Sequence, residues 1–222
     1  RARRPVVVVD LHTTSSAGPP FTIFSDTLDN RRVASRLGIP MILGLEECID
    51  GTLLDFATKS GVIAFVVEGG QHEDPGSATS LEAALWVTLV TLGIIDRVPD
   101  GAPGIERLRS AAGGLPTALE VRYRHPVLPQ DGFAMRPGYE GFQPIRRGEL
   151  LAADRHGEIR ALESGRILMP LYQAQGADGF FVIREINAFW LAVSAGARKI
   201  GLPRIVPHLP GIAERTPMAL AL

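Results

Sequence analysis

From residue 5 to about residue 96, short apolar runs alternate with segments whose apolar residues recur at helical intervals, which predicts a sheet with helices packed on its faces. The expected strands are Pro5 to Leu11, Pro40 to Leu43 and Val62 to Val67. Helices are predicted at Thr27 to Leu37, with Asp26 as the cap and Gly38 past the end, and at Leu53 to Lys59 before Gly61. A third helix, Ser80 to Ile94, has Thr79 and Glu82 at capping-box spacing, and Leu81, Leu85, Leu89 and Leu92 recur along one face. Val6 to Val9 is an unbroken β-branched run, the pattern of a central strand covered on both faces. No initiator Met precedes it, so flanking elements are expected upstream of Arg1.

The pattern changes after residue 98. Pro99 to Pro116 is rich in Gly, Pro and Ala around one short helix, Ile105 to Ala112, and reads as a linker. Thr117 to Tyr123 alternates as a strand does, and glycines and prolines then punctuate several short strands. Gly138 to Pro144, Asp154 to Gly157 and Gly165 to Met169 are similar to the barrel-sandwich hairpins of lipoyl and biotinyl carriers. A carrier needs a lysine at the hairpin tip, and Asp154-Arg155-His156-Gly157 has none, so the likeness is structural. Asn187 to Ile200 is predicted to be a helix burying Phe189, Trp190 and Val193, and the Pro-rich stretch from Pro203 is unassigned. The organisation expected is an α/β domain over 1–98, a linker over 99–116 and a β-rich domain with a terminal helix over 117–222.

Composition narrows the partners. Hydrophobic residues make up 45% of the chain, enough for a packed core, and 23 basic residues nearly cancel 24 acidic ones. No global field therefore draws the protein to nucleic acid or an anionic membrane. The longest mostly apolar stretch, Ala83 to Ile95, is shorter than the roughly 20 residues a spanning helix needs. One cysteine, Cys48, allows no internal disulfide and suits a cytoplasmic setting.

Candidate chemistry sits at two strand ends. In open α/β sheets ligands gather outside the carboxyl ends of strands, so the polar burst Asp10-Leu-His-Thr-Thr-Ser-Ser16 after Val6 to Val9 is placed for function. His12 there could bind a metal through one ring nitrogen while the other is held by a carboxylate or carbonyl. Asp10 is near in sequence but is a doubtful holder if the chain turns at His12. The second segment, Val62-Ile-Ala-Phe-Val-Val-Glu-Gly-Gly-Gln-His72, carries Glu68 out of an apolar run, where desolvation would raise its pKa. The two glycines after it would let backbone approach a ligand closely. Taken alone, each segment has a plainer reading: a hydrogen-bonded strand-end histidine, and a glutamate paired with an arginine.

Together, Asp10-Leu-His-Thr-Thr-Ser-Ser16 and Val67-Glu-Gly-Gly-Gln-His72 resemble the third-ligand and catalytic-glutamate motifs of the succinylglutamate desuccinylase and aspartoacylase family. The similarity runs on through Leu43-Gly-Leu-Glu-Glu47, Asp50 to Leu54, and Met169-Pro-Leu-Tyr-Gln-Ala-Gln-Gly176 to Asp178-Gly-Phe-Phe181. The resemblance implies a partial zinc-carboxypeptidase-like mixed sheet flanked by helices, followed by a small all-β barrel-sandwich-like domain. It also implies one zinc per subunit with His12 as a ligand and Glu68 as general base and acid, cleaving an acyl-amide or related ester bond of a small acylated substrate. The family's other ligands come from an upstream His-x-x-Glu, which these 222 residues lack. Where aspartoacylases place a Tyr and an Arg for N-acetylaspartate, this chain has Asp178-Gly179-Phe180 and Ala57-Thr58, which makes that substrate unexpected.

Remaining candidates are weaker. Asn30-Arg31 follows His12 and reads as helix surface. His72 could touch substrate but is expected in a solvated loop, as are His125, His156 and His208. Thr13, Thr14 and Ser15 could bind ligand or cap the next element. Cys48 has no nearby His and reads as a small apolar residue, and Ser15-Ser16 lacks a nucleophile elbow. A non-catalytic binding or assembly module remains the alternative, and self-association through an open sheet edge is compatible with the sequence.

Overall fold

The computed structural model describes residues 6–46 and 52–187. Cys48, His208 and nearly all of the predicted terminal helix lie outside the described residues. In chain order the elements are β1 (Val7–Thr14), β2 (Phe21–Ile23), α1 (Leu28–Ala34), β3 (Met41–Leu43), α2 (Leu53–Lys59), β4 (Ile63–Gln71), α3 (Pro75–Thr91) and α4 (Ile105–Ala112). They continue with β5 (Ala118–Pro126), β6 (Ala134–Met135), β7 (Pro144–Ile145), β8 (Leu150–Asp154), β9 (Gly157–Arg160), β10 (Gly165–Leu168) and β11 (Asp178–Glu185).

Among the described residues eight strands form one mixed sheet in the order β1-β4-β2-β3-β5-β11-β10-β7, and β6-β8-β9 form a second, smaller sheet. β5 runs parallel to β3, with Met41 opposite Ala118, so the large sheet continues across the 99–116 segment. One core cluster reflects this, joining Phe21, Ile42 and Val66 to Leu168, Phe181 and Ile183. A second cluster, including Tyr139, Leu151, Ile167 and Phe180, fills the β-rich region. No described helix is long and apolar enough to cross a membrane.

Several elements depart from expectation for identifiable reasons. Among the described strands the valine run pairs on one side only, β1 with β4, and there Val7 to Val9 are half-buried and Val6 is 64% exposed. β2, three residues long, is too short for its alternation to be read. Helix α3 begins at Pro75, not Ser80, because Asp74 accepts the Gly76 N–H as cap and proline suits the first turn. Its buried face is built of small residues, Ser77, Ser80, Ala83, Ala84, Val87 and Thr88, while Leu85 on the predicted face is exposed. Small residues win because the helix sits hard on β4: a Cβ on Gly69 would lie 2.7 Å from the Ser77 carbonyl oxygen.

Helix α1 is capped by Thr27, which accepts the Asn30 N–H, and it ends at Ala34 in a short 3-10 turn before Gly38. Asp26 instead receives Arg31, whose Nη2 donates to Asp26 Oδ2 at 2.7 Å. The Asn30-Arg31 pair is therefore interior, not helix surface. Asn30 is buried, donating to the Ser25 carbonyl at 2.8 Å and accepting the Ala64 N–H of β4 at 3.1 Å. One amide thus satisfies backbone groups of two segments that no regular ladder reaches.

Candidate active site

β1 and β4 run parallel with His12 directly opposite Glu68. Paired residues of neighbouring strands, about 4.8 Å apart, project from the same face, so register alone brings the imidazole and the carboxylate together. On its other side Glu68 lies opposite Phe21 of β2. Strand β4 extends past the predicted Val67 through Glu68 to Gln71, which places the carboxylate within the sheet, not at its rim.

That position sets its chemistry. Glu68 is only 4% exposed, and its Oε2 is buried with no hydrogen-bond partner. Burial pushes its pKa up to about 7, the nearby His12 pulls it down, and Asp10 pushes it up. Desolvation dominates because no donor compensates the orphan oxygen. Among the described residues no arginine pairs with Glu68, whose charged neighbours are His12 and Asp10.

His12 is differently placed. Its side chain is 54% exposed, and its Nε2 lies 3.0 Å from Asp10 Oδ1. The doubt over Asp10 is resolved by β1 continuing straight to Thr14: residues two apart on a strand share a face, and here they touch. With Nε2 held by a carboxylate, Nδ1 is left for another partner, an arrangement that orients metal-binding histidines.

The glycines after Glu68 serve a different purpose from the expected one. A Cβ on Gly69 would meet Leu81 at 2.6 Å, and one on Gly70, whose φ is +130°, would meet Ser77 Oγ at 2.6 Å. They admit helix α3, so their small size is explained by packing.

A third wall comes from a segment given no role by sequence reasoning. Met169 takes a left-handed conformation (φ +51°), and the chain then passes Pro170 towards the end of β1. There Ser15 Oγ donates to the Pro170 carbonyl at 3.5 Å and accepts the Tyr172 N–H at 3.3 Å. Tyr172 is anchored in turn, its hydroxyl donating to the Arg136 carbonyl and accepting the Tyr139 N–H. Gln173 Oε1 is thereby brought 3.3 Å from His72 Nε2, and His72 Nδ1 lies 2.7 Å from Thr13 Oγ1. His72 is exposed as expected, yet it is tied into this chain of contacts. Thr14 is buried, donating to the Ser16 carbonyl. The run Met169 to Gly176 carried a signal, but its link to His72 depends on a tertiary approach across 101 residues.

Other predicted positions lie elsewhere. His125 stacks on Phe180 at 5.1 Å in the β-rich core, where burial lowers its pKa, and His156 is in the exposed β8–β9 tip. Asp178 ion-pairs Arg124, and Phe180 is fully buried, so neither is open to a ligand.

Among the described residues no three His, Cys, Asp or Glu side chains are grouped to hold a metal. The His12 imidazole is a donor suited to zinc, but it does not make a closed three-ligand site on its own.

No protein-family model and no curated protein matches the sequence. Solved structures do match. A succinylglutamate desuccinylase/aspartoacylase from Rhodobacter sphaeroides is 18% identical, with a TM-score of 0.59 over 82% of this chain and 58% of that one. The ectoine utilization protein EutE (DoeB) from Ruegeria pomeroyi, in a product-bound structure, is 17% identical with a TM-score of 0.55, covering 79% and 57%. A succinylglutamate desuccinylase from Vibrio parahaemolyticus is 16% identical with a TM-score of 0.53, covering 82% and 54%. At these identities the likeness is one of fold, a large mixed sheet flanked by helices, and the chain spans little more than half the length of these relatives.

Proposed function

We propose that this chain is part of a hydrolase that cleaves an acyl-amide or related ester bond of a small acylated substrate, with Glu68 as general base and acid and His12 as one ligand of a zinc ion. One observation carries the reading: a buried carboxylate with an orphan oxygen and a pKa near 7 lies opposite an accessible imidazole on the neighbouring strand. A base poised near neutral pH combines the right protonation state with a useful proton affinity. The fold shared with desuccinylase and aspartoacylase structures supports it.

In this reading Glu68 takes a proton from water as the water oxygen bonds to the acyl carbon. As the carbon–nitrogen bond breaks, Glu68 returns that proton to the leaving amine. Asp10 holds the His12 ring through Nε2. Zinc, when bound, would acidify water and polarise the acyl carbonyl. Its other ligands would come from chain beyond the described residues, and β1 has no second neighbour among those residues, which leaves an approach to His12 open. Gln173 and His72 would line the substrate side.

The test is zinc content and hydrolysis of a panel of N-acylated amino acids by the full-length protein. His12→Ala should lose the metal. Glu68→Gln should keep it while kcat falls by about 10²–10⁴-fold. Undiminished hydrolysis by Glu68→Gln would sink the assignment. The absence of a three-ligand group among the described residues favours one rival, a non-catalytic binding or assembly module. That rival predicts that the wild-type protein neither retains zinc nor hydrolyses anything on the panel.

A further inference from the structure

The third wall of the candidate site holds a hydrogen-bond relay that has a direction. Its members come from three segments: Thr13 follows His12 in β1, His72 lies just past β4, and Gln173 belongs to the loop between β10 and β11. Thr13 Oγ1 is 2.7 Å from His72 Nδ1, and His72 Nε2 is 3.3 Å from Gln173 Oε1. The backbone N–H of His72 also donates to the Thr14 carbonyl at 3.0 Å, which seats the residue beside the end of β1. The β1–β4 register shifts between His12 and Thr14, and such irregularities re-aim the side chains at a strand end.

The chemistry of each atom sets the polarity of the relay. A carboxamide oxygen only accepts, so His72 Nε2 carries a proton to make its contact, whether the ring is neutral or charged. In the neutral ring Nδ1 is then a lone pair, and the Thr13 hydroxyl donates to it. Gln173 Oε1 is thereby spent on His72, while its amide nitrogen, on the other branch of the carboxamide, has no protein partner among the described residues. The Gln173 side chain is exposed, but its base is held. The preceding Tyr172 N–H donates to Ser15 Oγ, and the Tyr172 hydroxyl bridges the backbones of Arg136 and Tyr139. At this point the wall offers a ligand N–H donors and no acceptor.

We propose that Gln173 is a specificity-determining residue whose amide N–H groups hold a carboxylate of the substrate, and that His72 and Thr13 are positioning residues that keep its oxygen turned away. This rests on the hydrolytic reading, which puts the substrate against this wall, and deepens it: the group held is the carboxylate of an N-acylated amino acid. A donor already oriented spends no ordering on arrival, and its bond to a charged acceptor is stronger than one to a neutral carboxamide.

The probes are the N-acylated amino acid that the full-length wild type hydrolyses best and the same compound with its carboxylate replaced by a carboxamide. The acid should have a KM about tenfold or more below that of the amide. Gln173→Leu should raise KM for the acid about tenfold, with a smaller change in kcat and little change for the amide, so the preference disappears. Thr13→Val keeps the β-branched shape, removes the hydroxyl that donates to Nδ1, and should forfeit part of the preference. Thr13→Ser should restore it, which packing alone would not predict. In ¹⁵N spectra recorded with the His72 ring neutral, the wild type should show Nε2 protonated and Nδ1 bare. A ring protonated at Nδ1 instead would overturn the inference, because Gln173 would then present its oxygen. So would an undiminished preference in Gln173→Leu. Both outcomes leave wild-type hydrolysis and the role of Glu68 intact, whereas a wild type that hydrolyses no N-acylated amino acid removes the hydrolytic reading and this inference together.

Discussion

Strands β1 and β4 lie side by side, and each carries an apolar run ending in a candidate catalytic group, yet among the described strands one has a single neighbour and the other has two. β4 has β1 on one side, β2 on the other and α3 across its face, and seven consecutive residues, Ala64 to Gly70, are buried. Among the described strands β1 has β4 alone, and its valines there stay half-exposed. An apolar run states what a strand can tolerate, while its neighbours decide what it receives. The same difference divides the chemistry: the inner strand gives an acid tuned by burial, and the outer strand gives an imidazole that a ligand can reach. The largest expected contrast is in packing. Phe65→Ala, emptying a fully buried site on β4, should cost about 3–5 kcal/mol. Val6→Ala beside β1 should stay within about 0.5 kcal/mol. Equal losses in urea denaturation would show that the two strands are enclosed alike.

The next contrast lies in protons. Glu68 has a folded pKa of about 7 against an ordinary 4.5, a difference of roughly 3 kcal/mol to order of magnitude. Below about pH 4.5 both folded and unfolded chains hold the proton, so no penalty exists. Between 4.5 and 7 the unfolded chain releases it while the folded chain does not, so stability falls as pH rises, and the penalty is complete above 7. Metal-free Glu68→Gln should therefore be more stable than wild type at pH 8, by up to about 3 kcal/mol, and should equal it near pH 4. Parallel pH profiles of the urea midpoint would mean that Glu68 is solvated after all.

Much of this was legible in the sequence, and the exceptions share a cause. α2 and α4 occupy the predicted residues because local signals agree there: Thr52 caps the start of α2, and a left-handed Gly113 ends α4. His12 and Glu68 were found by their place at the ends of apolar runs, and the sheet put them opposite each other. What escaped depended on long-range approach. Asn30 looks like helix surface until β4 offers it the Ala64 N–H. Gln173 has no visible role until the turn at Met169 brings it to His72. Asp10 looked doubtful only while the strand was expected to stop short of His12. The order of strands, and so which of two similar runs is inside, is set by tertiary pairing that no local pattern encodes.

Asn30 gives the third way to probe the inner strand. Asn30→Ala would strand the Ala64 N–H and the Ser25 carbonyl in the interior, at a cost of about 1–3 kcal/mol, without touching β1. Hydrogen exchange locates the effect: protection should fall at Ala64 and be unchanged at the outer-strand amides. Uniform loss along both strands would mean that Asn30 supports the whole sheet edge.

The smallest effect is expected where α3 turns from β4 towards β1. Its small residues press on β4, while Leu85, Trp86 and Leu89 border a cavity of about 770 Å³ shared with Val7 and Val9 of β1. A leucine on this side contacts less and is already 37% exposed, so Leu85→Ser should change stability by no more than about 0.5 kcal/mol. The adjacent substitution on the tight side, Ala84→Leu, has no room and should cost about 1–3 kcal/mol. One residue separates the two positions, so propensity and helix length are nearly matched, and the difference reports which side of α3 is filled. If Leu85→Ser proves as costly as Ala84→Leu, the outer side is as closely packed as the inner one, and the distinction between β1 and β4 fails at the helix that spans them.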